Sequence, residues 1–287
     1  MRKYQIDVLK QREVSVHGTK MITMENDPLG TSAELAIFSS HEPITTKLIS
    51  KYLRKNSVCL DIGGNIGYYA LLEKKIIGKN GRIIVIEPSP ENFKILKKNL
   101  KLEDNSTDLA LNIAAGDKDG SIKFLLYKNA GNSSMIVPEG MESKYPGQTI
   151  DVPIKKIDTI VDELKLEKLD FVRMDSEGYE YNILQGMKET LKKFRPIIQL
   201  EFHKGIMGES KTRNFFEIMK ELKYDSKYFI PRDLDVPFIG TEKDITEYSV
   251  DELLKQLDNK SIRTLFMLTL IPIEKTKDFT YRITNPS

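Results

Sequence analysis

The apolar residues of the chain follow two different spacings. Short, nearly continuous apolar runs at 57–63, 82–87 and 169–175 have the length and composition of buried strands. Between them, segments such as 66–77 and 90–101 repeat apolar residues at the three- and four-residue spacing of a helix. Strands that alternate with helices predict an α/β fold with a doubly wound, mostly parallel sheet.

Weaker patterns extend this prediction towards both ends of the chain. Residues 4–24 alternate loosely between apolar and polar positions and turn near Gly18, which predicts a small N-terminal β extension. Further strands are expected at 109–115, 121–127, 150–155, 197–203 and 263–273, and further helices at 42–55, 157–164 and 211–223. We therefore expect an N-terminal extension at 1–40 and one domain at 41–287 with an antiparallel strand near its C-terminal end.

One segment between the predicted strands is unusually rich in turn-forming residues. Residues 128–148 contain Gly, Asn, Ser and Pro without any regular apolar spacing. Loops of this length inside a compact domain are uncommon and often functional. The segment is expected to be either a lid over the substrate or a surface excursion.

The overall charge excludes a broad electrostatic attraction to polyanions. Lysine and arginine total 44 against 42 acidic residues, for a formal net charge of +2. No concentrated basic field is therefore expected to gather nucleic acid or an anionic membrane. The lone cysteine, Cys59, cannot form an intramolecular disulfide, and no signal-peptide or membrane-spanning run is evident. These features predict a soluble cytoplasmic protein.

The stretch CLDIGGNIGYYA places a glycine-rich turn between a predicted strand and a helix. Asn65 breaks the G-x-G-x-x-G dinucleotide motif, and what remains is D-x-G-x-x-x-G, with Asp61, Gly63 and Gly67. The Asp61 carboxylate would repel a pyrophosphate but suits S-adenosylmethionine, which carries an ammonium and a sulfonium instead. Glu87, at the tip of the next strand, is placed to bind a ribose diol. The glycine pattern alone also fits a purely structural turn.

A second set of polar residues follows the later strands. Asp175 and Glu177 stand where one buried strand ends, and Glu201 and His203 end the next. Since ligands of open parallel sheets bind beyond the carboxyl ends of the strands, Asp175, Glu177 and His203 are candidates for general base catalysis. Asp175, Glu201 and His203 are also a possible metal-binding set. Equally, acids in a first helical turn favour the helix dipole, and a single histidine at a strand end is often structural.

These motifs resemble those of the FkbM family of S-adenosylmethionine-dependent methyltransferases, over roughly residues 41–204. The resembling blocks, in chain order, are LDIGGNIGYYA, VIEPSPENF, NIAAGDKDG, VPIKKIDTIVDEL and MDSEGYEYNILQG, ending at QLEFH. The resemblance implies a class I methyltransferase fold with a seven-stranded sheet. The expected cofactor-binding residues are Asp61, Gly63, Asn65, Gly67, Glu87, Pro88 and Ser89. The expected catalytic residues, facing the acceptor, are Asp175, Glu177 and His203.

The activity expected is O-methylation of a hydroxyl on a sugar, glycan or other small metabolite by in-line displacement. A hydroxyl needs a base to take its proton, or Mg²⁺ to lower its pKa. A nucleic-acid methyltransferase is the alternative, but the chain shows no basic run interleaved with aromatics, and DSEG replaces a Pro-aromatic motif. A non-catalytic nucleoside-binding module and an NAD-dependent oxidoreductase are less favoured.

Overall fold

The computed structural model describes residues 12–25, 27, 30–102, 107–126, 135–137 and 147–279. The strands are β1 (Glu13–Val16), β2 (Thr19–Ile22), β3 (Val58–Ile62), β4 (Arg82–Ile86), β5 (Leu109–Leu111), β6 (Ala114–Ala115), β7 (Gly120–Leu126), β8 (Met135–Ile136), β9 (Gln148–Lys155), β10 (Phe171–Met174), β11 (Ile197–Phe202), β12 (Tyr224–Pro231) and β13 (Phe266–Pro272). The α-helices are Thr31–Phe38, Pro43–Tyr52, Tyr68–Ile77, Pro90–Leu100, Ile157–Glu163, Glu180–Gln185, Lys188–Phe194, Lys204–Met207, Glu209–Glu221 and Val250–Asp258. Short 3₁₀ helices lie at Arg232–Leu234, Glu242–Asp244 and Ile273–Phe279.

Seven strands form the central sheet, in the spatial order β12-β13-β11-β10-β3-β4-β5. The neighbours from β11 to β5 pair in parallel, whereas β13 runs antiparallel to both β11 and β12. From β3 the chain first adds β4 and β5 on one side and later adds β10 and β11 on the other side. The carboxyl ends of β3 and β10 therefore lie at a topological switch point, where α/β sheets bind ligands. The expected α/β class I methyltransferase fold, with its antiparallel strand near the C-terminal end, is confirmed.

The central strands are apolar on both faces because helices cover both sides of the sheet. Leu60 and Ile62 of β3 pack into one core cluster, while Cys59 of the same strand packs into the cluster on the opposite face. Successive side chains of a strand point to opposite faces, so a strand covered on both sides reads as one continuous apolar run. For this reason the apolar runs of the sequence predicted the ends of β3, β4 and β10 to within two residues.

The predicted strand at 109–115 is in fact two short strands in different sheets. β5 ends the central sheet at Leu111, and β6 belongs to a four-stranded sheet of order β6-β9-β7-β8. Asn112 lies at the break, and its side-chain amide donates to the carbonyl oxygens of Glu87 at 2.8 Å and Pro88 at 3.1 Å. Apolar spacing carries no signal for a change of sheet, so the second sheet was not predicted.

The elements not anticipated from the sequence include the helix Thr31–Phe38, the strand β12 and the helix Val250–Asp258. β12 lies at the edge of the sheet, and its sequence YDSKYFIP mixes buried and partly exposed positions. Most of the predicted lid at 128–148 lies outside the described residues, although Met135–Ile136 pairs with β7 and Gln148 begins β9. None of the helices in the described ranges is long and apolar enough to cross a membrane.

The N-terminal β extension is an antiparallel hairpin of β1 and β2, attached to the domain by a buried asparagine. The Asn99 side chain accepts from the backbone N–H of Ile22 at 2.7 Å and donates to the carbonyl oxygens of Ile22 at 3.0 Å and Ile66 at 2.7 Å. Ile66 lies within the glycine-rich turn, so one side chain connects the hairpin to that turn.

Replacing this asparagine should loosen the hairpin and destabilise the protein. Asn99→Ala removes three hydrogen bonds, one buried and two part-buried, so we expect the free energy of unfolding to fall by about 2–3 kcal/mol. Urea unfolding would measure the loss. Lys98→Ala, on the exposed side of the same helix, is the matched control and should change stability by less than about 0.5 kcal/mol. Equal stabilities of the two variants would contradict the assignment.

Candidate functional site

The glycine-rich turn lies between β3 and the helix Tyr68–Ile77, at the carboxyl edge of the sheet. Gly63 has φ +79° and Gly67 has φ +95°, in the left-handed region that favours glycine. A Cβ on Gly63 would lie 1.8 Å from the carbonyl oxygen of Asp175. The turn therefore runs directly against the end of β10, and only glycine fits at the point of contact.

Three features of the turn fit a nucleoside that carries an amino-acid tail. The helix that begins after Gly67 has no capping side chain, so the free N–H groups of its first turn are suited to a carboxylate. Asn65, with φ +49°, donates its backbone N–H to Glu87 Oε2 at 2.8 Å. Glu87 Oε1 accepts from the backbone N–H of Ser89 at 2.8 Å and from Asn92 Nδ2 at 3.5 Å, so Oε2 is the carboxylate oxygen that keeps a lone pair for a ribose hydroxyl.

The two residues after Glu87 shape its surroundings. The Ser89 hydroxyl accepts from the backbone N–H of Asn92 at 3.4 Å and caps the helix Pro90–Leu100. Pro88 contributes a carbonyl oxygen to the side chain of Asn112. Burial raises the pKa of Glu87 to about 7, because its backbone hydrogen bonds offset only part of the desolvation. Within the described ranges Glu87 has no cationic partner.

Asp61 is placed differently from the sequence-based expectation. Its side chain is fully buried, and Oδ1 lies 3.1 Å from the Arg173 guanidinium instead of facing a ligand as an isolated charge. Asp61 and Arg173 are register partners on the adjacent parallel strands β3 and β10, which places their side chains side by side. Arg173 therefore offsets one of the two negative charges on which the cofactor prediction relied.

Arg173 joins the glycine turn to the predicted catalytic residues. Its guanidinium donates to the Gly63 carbonyl at 3.2 Å and to Asp175 Oδ2 at 3.2 Å, besides its bond to Asp61. It also lies 4.2 Å from the ring centroid of Tyr69. The sequence did not indicate this residue, because a single arginine inside the apolar run LDFVRMD does not alter the strand pattern.

The structure brings the three predicted catalytic residues together. One ligand atom from each of Asp175, Glu177 and His203 lies within 4.8 Å of the others. Asp175 follows β10, Glu177 stands in the next turn with φ +51°, and His203 follows β11. Asp175 Oδ1 is buried and has no hydrogen-bond partner, so this site contains an unused acceptor.

Both ring nitrogens of His203 face carboxylates. Nδ1 lies 2.9 Å from Glu180 Oε1, and Nε2 lies 3.2 Å from Glu177 Oε2. Burial alone lowers the pKa of His203, but the two hydrogen bonds and the neighbouring acids outweigh it and raise the pKa well above 6.5. His203 is therefore a protonated double donor at neutral pH, and Glu180, which is wholly buried, fixes its orientation.

The structure does not bring together the complete metal-binding set considered from the sequence, Asp175, Glu201 and His203. Asp175, Glu177 and His203 bring one ligand atom each within 4.8 Å, but Glu177 stands where the predicted set had Glu201. Glu201, the third member of that set, directs its carboxylate to Arg232 at 3.2 Å instead. The cluster is held by ion pairing between its own side chains.

Asp175 has the pKa of a general base. Burial raises its pKa to about 6; Arg173 and His203 lower it, while Glu177 raises it. A carboxylate that is mostly ionised at neutral pH, but more basic than a free aspartate, is matched to proton abstraction. Its unpartnered Oδ1 is the atom that can receive the proton.

A further ion-pair network joins the N-terminal segment to this site. Arg232 bonds Glu42 and Glu201, both at 3.2 Å, and Glu42 in turn lies 3.1 Å from His41 Nε2. His41 Nδ1 lies 2.8 Å from Glu34 on the helix Thr31–Phe38. No sequence signal identified this network, since its members are separated by up to about two hundred positions.

The chain is similar to methyltransferases of one known family. The family model described as the methyltransferase FkbM domain matches residues 61–228, more than half of the chain. The chain is 24% identical over 167 residues to hexuronic acid methyltransferase AglP of Haloferax volcanii, covering 58% of this chain and 64% of that protein. It is 28% identical over 160 residues to 2-O-methyltransferase NoeI of Sinorhizobium fredii, covering 52% and 65%.

The chain thus spans a little under two thirds of the length of these curated relatives. Among solved structures it resembles the FkbM methyltransferase of Methylobacillus flagellatus, with a TM-score of 0.43 and 20% identity over 66% of this chain and 44% of that one.

Because of the His41 network, the free energy of unfolding should decrease at alkaline pH. Burial lowers the pKa of His41, but Glu42 and Glu34 outweigh it and raise the pKa to about 9. The protonated ring therefore stabilises the fold fully below about pH 6.5, and this contribution is lost as the pH rises through about 9, up to about 3 kcal/mol. Urea unfolding of the wild type between pH 7 and 10 measures it.

Two histidine variants separate this effect from general alkaline unfolding. His41→Gln should remove most of the alkaline decrease. His17→Gln is the control, because burial lowers the pKa of His17 to about 4 and the residue is already neutral in this range. An alkaline decrease of equal size in wild type and His41→Gln would exclude the network as its source.

Proposed function

Because the chain belongs to the FkbM methyltransferase family, we propose that it transfers a methyl group from S-adenosylmethionine to a hydroxyl of a sugar or similar small acceptor. The observation that carries the proposal is the buried, unpartnered Oδ1 of Asp175, whose backbone touches the glycine turn. The proton acceptor and the predicted cofactor site are thus adjacent. The printed names of two relatives, a hexuronic acid methyltransferase and a 2-O-methyltransferase, support a sugar acceptor.

S-adenosylmethionine would supply an electrophilic methyl group and would be held by the glycine turn and Glu87. The amides at the start of Tyr68–Ile77 suit its carboxylate, and Glu87 suits its ribose. Glu87 has no cationic partner in the described part of the chain, and with its pKa raised to about 7 it is partly ionised at neutral pH. Its ionised form disfavours a ligand with phosphates at this position.

The remaining chemistry falls to the side chains. A hydroxyl is a weak nucleophile until its proton is removed, and Asp175 Oδ1 is the acceptor with the matching pKa. An unsatisfied buried oxygen costs about 1–3 kcal/mol, which a hydrogen bond from the acceptor hydroxyl would recover. Arg173 holds the other carboxylate oxygen, so Oδ1 is the one left for the acceptor.

His203 has a supporting role in this proposal. As an imidazolium it donates to Glu177 and Glu180 and cannot take a proton. Its charge helps keep Asp175 ionised, since the coulombic effect of His203 lowers the pKa of that carboxyl. Glu177 is a quarter exposed and forms the solvent side of the cluster.

Removal of the base tests the proposal directly. Asp175→Asn keeps the shape and the bond to Arg173 but removes the proton acceptor, so kcat should fall by about 10²–10⁴-fold while S-adenosylmethionine still binds. Methyl transfer from labelled cofactor and calorimetry measure the two effects. Glu209→Gln, an exposed acid on a neighbouring helix, is the control and should retain activity. Full turnover by Asp175→Asn would exclude this residue as the base.

The pH dependence separates Asp175 from His203 as the base. In the wild type, kcat/KM should decrease as the pH falls through about 6, where Asp175 becomes protonated. His203→Gln removes a neighbouring positive charge, so the pKa of Asp175 should rise and this decrease should move to higher pH, with activity retained at alkaline pH. Loss of activity at every pH, in a variant that remains folded, would instead identify His203 as the base.

A further inference from the structure

A partly open cavity of about 430 Å³ is lined by residues that belong neither to the predicted cofactor site nor to the cluster of Asp175, Glu177 and His203. Its lining residues come from the segments after β12 and before β13, and they are Arg232, Asp233, Val236, Arg263, Thr264 and Leu265. The volume falls within the roughly 300–1,000 Å³ of typical small-molecule sites.

The strand register places this cavity at the same edge of the sheet as the proposed base. Phe266, the first residue of β13, pairs with Phe202 on one side and with Pro231 on the other. Because β13 is antiparallel, its beginning is level with the carboxyl ends of β11 and β12. His203 is thus about one strand spacing, roughly 4.8 Å, from the segment that contains Thr264. The N–H of Gly205 also donates to the Thr264 carbonyl at 3.0 Å.

The two arginines of the cavity differ in their availability. Arg232 already uses all three of its guanidinium nitrogens, on Glu201, Glu42 and the Asp235 carbonyl. Arg263 is exposed and makes no ion pair or hydrogen bond with any residue that the structure describes. An arginine that lines a cavity and is not neutralised by the protein is a ready partner for a planar carboxylate, which it binds with two parallel hydrogen bonds.

The other lining residues suit a hydroxylated ring. The Asp233 carboxylate and the Thr264 hydroxyl can bind acceptor hydroxyls, while Val236 and Leu265 offer apolar surface to its C–H groups. Asp233 also limits the charge of the ligand, because its negative charge opposes a phosphate dianion more strongly than a carboxylate.

We propose that this cavity binds the acceptor and that Arg263 recognises a carboxylate on it, so that the preferred acceptor is a sugar acid. The inference rests on the proposed function only in taking the bound sugar acid to be the methyl acceptor. The binding of a sugar acid in the cavity is a separate property that does not require methyl transfer.

The test compares methyl glucuronide with methyl glucoside, which differ only at C6, and adds glucose 6-phosphate as a phosphorylated probe. Calorimetric titration of the full chain, with S-adenosylhomocysteine present, gives the three Kd values. We expect the wild type to bind the glucuronide about tenfold more tightly than the glucoside, the difference expected for one hydrogen bond to a charged group. Arg263→Gln should bring the two sugars to equal affinity and leave glucoside binding unchanged.

An exposed arginine outside the cavity provides the control. Arg213→Gln, on the helix Glu209–Glu221, should keep the wild-type preference. Equal binding of glucuronide and glucoside by the wild type, or an unchanged preference in Arg263→Gln, would overturn the proposal. Tighter binding of glucose 6-phosphate than of the glucuronide would also overturn it, in favour of a phosphorylated ligand.

The binding test can succeed or fail independently of the proposed methyl transfer. A protein that shows the carboxylate preference but transfers no methyl group would retain this site and lose the proposed activity. A protein that methylates neutral sugars without any dependence on Arg263 would retain the activity and lose this site.

Discussion

The buried guanidinium of Arg173 holds the whole site in its geometry. It bonds Asp61 at the end of β3, the carbonyl of Gly63 in the turn, and Asp175 at the end of β10. An arginine this deeply buried is tolerable only because carboxylates surround it, and breaking such a pair costs about 3–5 kcal/mol. The glycine turn and the proposed base therefore cannot move apart without exposing an uncompensated charge.

The same bond fixes the direction of the Asp175 carboxylate. Oδ2 is taken by Arg173, so the two oxygens of this residue differ although they are chemically identical, and only Oδ1 is left unpartnered. Desolvation raises the pKa of the group while the nearby cations limit the rise, and the result is a base suited to neutral pH. A fully exposed aspartate would be too weak a base, and a buried one without cationic neighbours would stay protonated.

Local sequence pattern predicted the central strands, their helices and the residues that cluster at their ends, because each of these depends on short-range spacing. The position of Asp175 and Glu177 after one strand, and of His203 after the next, follows from where the apolar runs stop. The long-range charge partners could not be inferred in this way. Arg173 is hidden in an apolar run, and Arg232 lies after a strand whose mixed pattern gave no strand signal.

Those partners change the chemical roles, even though the sequence-predicted residues do come together. An isolated histidine at a strand end would be a neutral base near its ordinary pKa of about 6.5. Held between Glu177 and Glu180, His203 is instead a cation that donates from both nitrogens, and the proton acceptor that we propose is the neighbouring aspartate. Residue type and strand position alone would allow either His203 or Asp175 to be the base. The side chains that enclose the cluster favour Asp175.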